Sequence, residues 1–266
     1  MMRSRRRPTT PDARICSFPK TGRTWLRFQL ASYVVDVLGI DLVVDLETLF
    51  RVVPNDSDDP VRGIPAFGLA GVAPLVVATH RPQPEPEGGR VVWITRDVMD
   101  VLVSYHRHRS RQTERTTRDL GAFIAEEGIP ELARYVDAWE PALGGSLVIT
   151  YEAMHADPVG TLRSVVTYLG LPVRADALER AVAAASFERM AAAEARTPVA
   201  GHAYDYSDPD ARRVRKGEVG GHREVLARNE VAAAAEQLRA ALAPRSWDLL
   251  EAYGSLASVL AASDPD

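Results

Sequence analysis

Lysine occurs only at Lys20 and Lys216, in a chain that carries 32 Lys plus Arg. A compact ammonium with three rotatable donors suits a point of concentrated negative charge, so both positions are candidates for anion binding. Lys20 lies in Ile15 to Leu30, ICSFPKTGRTWLRFQL, whose pattern predicts a short buried strand, a Pro-Lys-Thr-Gly-Arg-Thr turn and a helix opening at Thr24-Trp25. Such a junction leaves the first N–H groups of the helix unpaired and aims them, with the positive helix end, at one spot. Thr21 and Thr24 add hydroxyl donors there. A histidine at a strand end, His80, could take a proton near neutral pH.

The elements that must position these groups follow from hydrophobic runs. PLVVAT (74 to 79), RVVWIT (90 to 95) and SLVIT (146 to 150) are continuous and rich in β-branched residues, as in strands covered on both faces of a parallel sheet. In open parallel sheets ligands gather at the carboxyl ends of the strands, which is where His80 and Arg96 fall. Asp97 reads as the N-cap of a helix to His106, Asp157-Pro158 as the start of one to Tyr168, and Ala175 to Ala185 as an Ala-rich helix. Leu120 to Leu143 reads as one or two helices broken near Gly128 and Pro130, and Val225 to Leu242 and Trp247 to Leu260 as terminal helices. Residues 51 to 74 read as a long loop, 195 to 211 as a mobile lid, and Arg107 to Arg118 as a solvated face. The alternation of strand and helix gives the fold class: α/β, a central parallel sheet flanked by helices.

At 266 residues the chain can bury one full core, and residues 14 to 262 read as a single domain behind a flexible basic arm, 1 to 13. A formal net charge of -4 gives no general attraction to nucleic acid or an acidic membrane, so an anion site must be local. With one cysteine, Cys16, in the first strand, no intramolecular disulfide can form, and a reducing, cytoplasmic setting is expected. There is no apolar leader and no run of membrane-spanning length.

Taken together, SFPKTGRTW, THRP, ITRDVMDVLVSYH, VITYEAMHADPVGTLRSVVTYLGL and RKGEVGGHR resemble, in order and spacing from about Ile15 to Arg223, the sulfotransferases that use 3'-phosphoadenosine 5'-phosphosulfate (PAPS). The resemblance implies the P-loop-like nucleotide-binding fold of that family and transfer of a sulfuryl group from PAPS to a small-molecule acceptor. The acceptor atom would be a hydroxyl, with an amine as second choice, and the product nucleotide would be PAP. It implies that Lys20, Thr21, Gly22, Arg23 and Thr24 hold the 5'-phosphate and sulfuryl group, and that Trp25, Tyr151 and Phe187 line the adenine pocket. Arg96, Ser104, Arg215, Lys216 and Gly217 would hold the 3'-phosphate, His80 would be the general base, and Lys20 would meet charge on the leaving phosphate. No metal is expected.

Arg23, Ala185 and Gly221-His222 depart from the common pattern, which puts fine nucleotide contacts in question. The family's dimer motif KxxxTVxxxE is absent, so a homodimer is neither implied nor excluded. Two other readings compete. A P-loop kinase would need GxxxxGK[ST], which is missing because Lys20 precedes Gly22. A non-catalytic nucleotide-binding protein on the same fold would have no need of both Lys20 and His80.

Overall fold

The computed structural model describes residues 11–56, 73–81, 89–196, 205, 207–208 and 211–263. Four parallel strands form its sheet in the order β2-β1-β3-β4. They are β1 (Ala13–Ser17), β2 (Val76–Thr79), β3 (Arg90–Thr95) and β4 (Leu147–Thr150). Because side chains alternate across a strand, Ile15, Val92 and Ile94 enter one core while Cys16 and Trp93 enter the other. This is why the strands read as unbroken apolar runs.

The first core lies against α1 (Arg23–Leu38), the short α2 (Leu49–Val52), α7 (Pro158–Tyr168) and α8 (Ala175–Ala184). On the other face are α3 (Val98–Arg107), α5 (Ile129–Trp139), α10 (Arg228–Ala241), α11 (Pro244–Ala252) and α12 (Ala257–Ser263). Burial leaves the Cys16 thiol protonated, its pKa pushed up to about 12. The cysteine is therefore a core residue, as its place in the strand predicts.

Asp97 caps α3 through Met99 N–H and Asp100 N–H, and Asp157 caps α7 through Gly160 N–H. Several boundaries differ from expectation. α1 opens at Arg23, one residue early. Residues 51 and 52, at the start of the expected loop, belong to the helical turn Leu49–Val52, and Asn55 bridges to Ala78 of β2. Gly128 and Pro130 do not break their helix. The chain runs from α4 (Leu120–Phe123) through a π-helical turn, Ile124–Gly128, into α5, where Pro130 occupies the first turn and needs no N–H partner.

Tyr151 opens a helix, α6 (Tyr151–Ala156), because Thr150 caps it through Ala153 N–H. Phe187 begins α9 (Phe187–Arg196). The last predicted helix is two, split at Gly254, whose φ of 70° takes the left-handed turn. Residues 1–10, most of the loop from 57 and most of the predicted lid lie outside the described residues.

Arg107 to Arg118 is less solvated than its charge suggests. Arg109 is part-buried between Glu127 and Glu131, Arg118 pairs with Glu126, and Arg111 with Asp208.

Candidate active site

A cleft of about 430 Å³ opens over the carboxyl ends of β1, β2 and β3. Its floor is the turn from Pro19 to Gly22. Lys20 sits at φ 74° and Gly22 at φ 98°, and a left-handed lysine costs about 1–2 kcal/mol that the surrounding structure must hold in place. Gly22 has a second reason to be glycine: a Cβ there would lie 2.6 Å from Tyr151 Cδ2. The Thr21 hydroxyl donates to Phe18 C=O at 3.0 Å, closing the turn from beneath, so this buried side chain does not line the cleft.

Cations surround the cleft, whose acidic lining among the described residues is Asp100 and Glu218. Burial, followed by the charges of Arg213, Arg96 and Arg215, pushes the Lys20 pKa down to about 7, with Glu194 opposing. Burial and Arg213 bring Arg23 down to about 9. The buried guanidinium of Arg27 is held well below its ordinary value by burial, Arg23 and Arg213. Lowered pKa values across neighbouring cations mark a site short of negative charge. A polyanion would supply that charge, so the donor set fits a nucleotide phosphosulfate.

Arg96 extends from the end of β3. It pairs with Asp100 at 3.0 Å, donates to Glu218 C=O at 2.9 Å and lies 4.0 Å from the Tyr151 ring centre. The segment after Arg212 is thereby drawn to the strand ends. Buried Glu194 adds to this by accepting from Arg213 N–H and Val214 N–H, and the Arg213 guanidinium donates to Thr24 Oγ1 at 2.9 Å. Gly217 (φ 66°) packs against Phe187, where a Cβ would meet the ring at 2.8 Å. Lys216, at the exposed rim, pairs with Glu224.

Trp25 donates from Nε1 to Ala185 C=O at 2.9 Å and faces Tyr151 and His155 edge-on or tilted. Of the predicted site residues, Lys20, Gly22, Arg23, Thr24, Trp25, His80, Arg96, Ser104, Tyr151, Phe187, Arg215, Lys216 and Gly217 all line this one cleft.

His80 opens on the cleft directly after β2. Its Nδ1 lies 2.7 Å from Ser17 C=O, an acceptor only, so Nδ1 carries the proton and Nε2 is left with its lone pair. The protein mass around the cleft, with Arg23 next, pushes the imidazole pKa well below its usual value even though the ring is solvent-accessible. The ring is therefore neutral at physiological pH.

Arg27, Asn55, His155 and Arg213 also line the cleft and were not singled out in the sequence. Arg27 looks like the polar face of an amphipathic helix, and contacts with Val53 C=O, Asn55 and Phe50, distant in sequence, turn it inward. His155 reads as a turn residue because α6 is short.

Asp97 converges with Asp100 and His222, which line the cleft wall, and all three are buried. Their oxygens are committed. Asp100 accepts from Gly220 N–H, His222 N–H, His222 Nδ1 and Arg96, and Asp97 accepts from Ser258 N–H and Oγ as well as its helix cap. This chemistry is that of a clasp joining distant segments.

Residues 74–243 match the model of the sulfotransferase domain. The chain belongs to the sulfotransferase domain family. Curated relatives include flavonol 3-sulfotransferase of Flaveria bidentis, 25% identical over 211 residues, and a flavonol sulfotransferase-like protein of the same organism, 27% identical over 210. Each alignment covers 69% of this chain and 66% of the relative, and cytosolic sulfotransferase 17 of Arabidopsis thaliana is 26% identical over 60% of its length. The chain thus spans about 60–66% of the length of the curated relatives it matches.

Among solved structures, retinol dehydratase with androsterone and the inactive cofactor PAP gives a TM-score of 0.65 at 16% identity, covering 89% of this chain and 82% of that one. A mouse sulfotransferase complexed with PAP gives 0.58 at 19%, covering 91% and 89%. Both share the α/β fold with its central parallel sheet. Among the described residues no helix is long and apolar enough to cross a membrane.

Proposed function

We propose that this chain is a PAPS-dependent sulfotransferase, one domain from residue 14 to 262, acting in the cytosol on the hydroxyl of a small molecule. The observation that carries this reading is the neutral His80 ring, with Nε2 free, in the same cleft as Lys20 and a set of cations that outnumbers its counter-charges. When bound, PAPS supplies the sulfuryl group: its S–O bond to the 5'-phosphate breaks as an S–O bond forms to the acceptor, and the electron pair stays on the phosphate.

His80 Nε2 accepts the acceptor proton, a role worth about 10²–10⁴-fold in rate. The Ser17 carbonyl holds Nδ1–H and becomes the partner of the imidazolium that forms. Lys20 and the N–H groups from Gly22 to Thr24 meet the charge that grows on the leaving phosphate oxygen, each such donor contributing on the order of 3 kcal/mol. Lys20 regains its proton as that charge arrives, because the depressed pKa reverses when an anion enters.

Arg96, Ser104, Arg215, Lys216 and Gly217 hold the 3'-phosphate, for which two guanidinium groups and an ammonium provide charge-assisted hydrogen bonds. Trp25, Tyr151 and Phe187 frame the adenine. The committed oxygens of Asp97 and Asp100 support a reaction without a metal at that cluster. The test is incubation with PAPS and a panel of hydroxylated acceptors, flavonols included, followed by mass spectrometry. A product heavier by one SO₃, with PAP formed in equal amount and both lost in His80→Ala, is expected. PAPS consumed with no sulfated product, or equal transfer by His80→Ala, would overturn the reading.

A further inference from the structure

Arg213 acts on both Lys20 and Arg23, and Lys20 also feels Arg96, at the end of β3, and Arg215. Arg23 acts on Cys16 and Tyr135, and its charge reaches His80 and Arg27. Arg27, one helical turn along α1, donates to Val53 C=O and to Asn55 Oδ1 at 3.0 Å, and Asn55 bridges Ala78 of β2. The Arg23–Arg27 face therefore looks toward the strand that ends in His80.

Two arginines four residues apart on one helix repel each other. No hydrogen bond or ion pair joins the Arg23 guanidinium to any described residue, and its Nε is buried without a partner. The same is true of Arg27 Nε, while the rest of that guanidinium meets neutral oxygens and stacks over Phe50 at 4.3 Å. The acids that line the cleft are elsewhere, with Asp100 bound to Arg96 and His222. An uncompensated cation is costly to bury, and here buried Arg27 shares one wall with half-buried Arg23.

Resting on the sulfotransferase reading, we infer that the acceptor carries an oxyanion, a carboxylate or an equivalent group, next to its reacting hydroxyl. The Arg23 side chain binds that group between α1 and His80. Arg23 divides its duties: its backbone N–H belongs to the nucleotide loop and its guanidinium to the acceptor. Arg27 raises the positive potential behind it. A bidentate guanidinium–carboxylate contact fixes orientation as well as adding attraction, so it sets which hydroxyl reaches Nε2.

The test uses two matched probe pairs, 3-hydroxybenzoate against 3-hydroxybenzyl alcohol and glucuronate against glucose. Each is titrated calorimetrically into protein saturated with PAP and assayed for sulfation with PAPS. In at least one pair the acid is expected to be favoured by about tenfold or more, as a charge-assisted contact predicts. Arg23→Gln abolishes that preference and Arg23→Lys keeps part of it, the acid-to-neutral ratio being read in each variant at its own saturating PAP concentration. The inference is overturned if the neutral probe is equal or better in both pairs, if neither acid binds or reacts, or if Arg23→Gln keeps the unaltered protein's preference for the acid. None of those results touches the sulfotransferase reading, which fails separately if the unaltered protein does not bind PAP at all.

Discussion

Binding of PAP near pH 8 takes up close to one proton per nucleotide, because Lys20 is mostly neutral before binding and charged after it. With a pKa pushed down to about 7, Lys20 carries its proton in roughly a tenth of free molecules one pH unit higher. The phosphate groups replace the missing counter-charge and return the lysine toward its ordinary value, so uptake is about 0.9 proton. Near pH 6 Lys20 is already about 90% charged, and phosphates with a second pKa of about 6 lose protons on binding, so net uptake vanishes or reverses.

Calorimetry in two buffers of different ionisation enthalpy measures the proton count directly. The affinity should fall by up to about tenfold per pH unit above pH 7. Lys20→Met should bind weakly and take up almost nothing. Uptake below about 0.3 proton near pH 8 in the unaltered protein, or the same uptake in Lys20→Met, would refute the reasoning. The same depression has a sign for stability. The unfolded chain holds the Lys20 proton up to about pH 10 and the folded one only to about 7, so the free protein grows more stable between those values.

His80→Ala should lower kcat by about 10²–10⁴-fold and leave PAP affinity unchanged in calorimetry. Because the protein around the cleft and Arg23 hold the imidazole of the free protein well below its usual pKa, kcat/KM in the unaltered enzyme should show no loss from His80 protonation as pH falls from 7 to 6. Gly22→Ala drives a methyl into Tyr151 at a left-handed φ, and should cost about 1–3 kcal/mol in urea unfolding together with PAP binding. Asp100→Asn should destabilise by about 3 kcal/mol or more. Burial alone would raise the Asp100 pKa, yet the His222 ring, Arg96 and two backbone N–H groups hold it far below the carboxylate range. Its contribution is therefore complete above about pH 4 and lost only as acid is added below that, visible as a lower midpoint in acid unfolding.

What the sequence discloses and what it hides have separate physical origins. The four strands are legible because both faces of each are buried, which forces the unbroken Val, Ile and Leu runs. The turn from Pro19 to Gly22 is legible because its glycine and lysine have narrow chemical reasons to be there. α6 is missed because its six residues make under two turns, too few to show a helical period, and its cap at Thr150 ends a strand. α9 is missed because its Ala-Glu-Arg composition resembles a solvated connector, although Ser186 Oγ accepting from Arg189 N–H is a cap signal.

The roles of Arg27 and Arg213 depend on contacts 28 and 189 residues away in sequence, with Asn55 and Thr24, and no local period encodes them. The clasp of Asp100 and His222 likewise spans 122 residues. Asp100 reads as the acidic first turn of α3, which it also is, so its second duty leaves no mark in the local pattern.

The most direct measurement is equilibrium binding of PAP, AMP and ATP to the same preparation, without added metal. The account predicts that PAP binds about a hundredfold or more tighter than AMP, since two or more charge-assisted contacts to the 3'-phosphate are at stake, and that ATP binds no better than AMP. Equal binding of PAP and AMP would contradict the 3'-phosphate site. Preference for ATP, strengthened by magnesium, would contradict sulfuryl transfer itself.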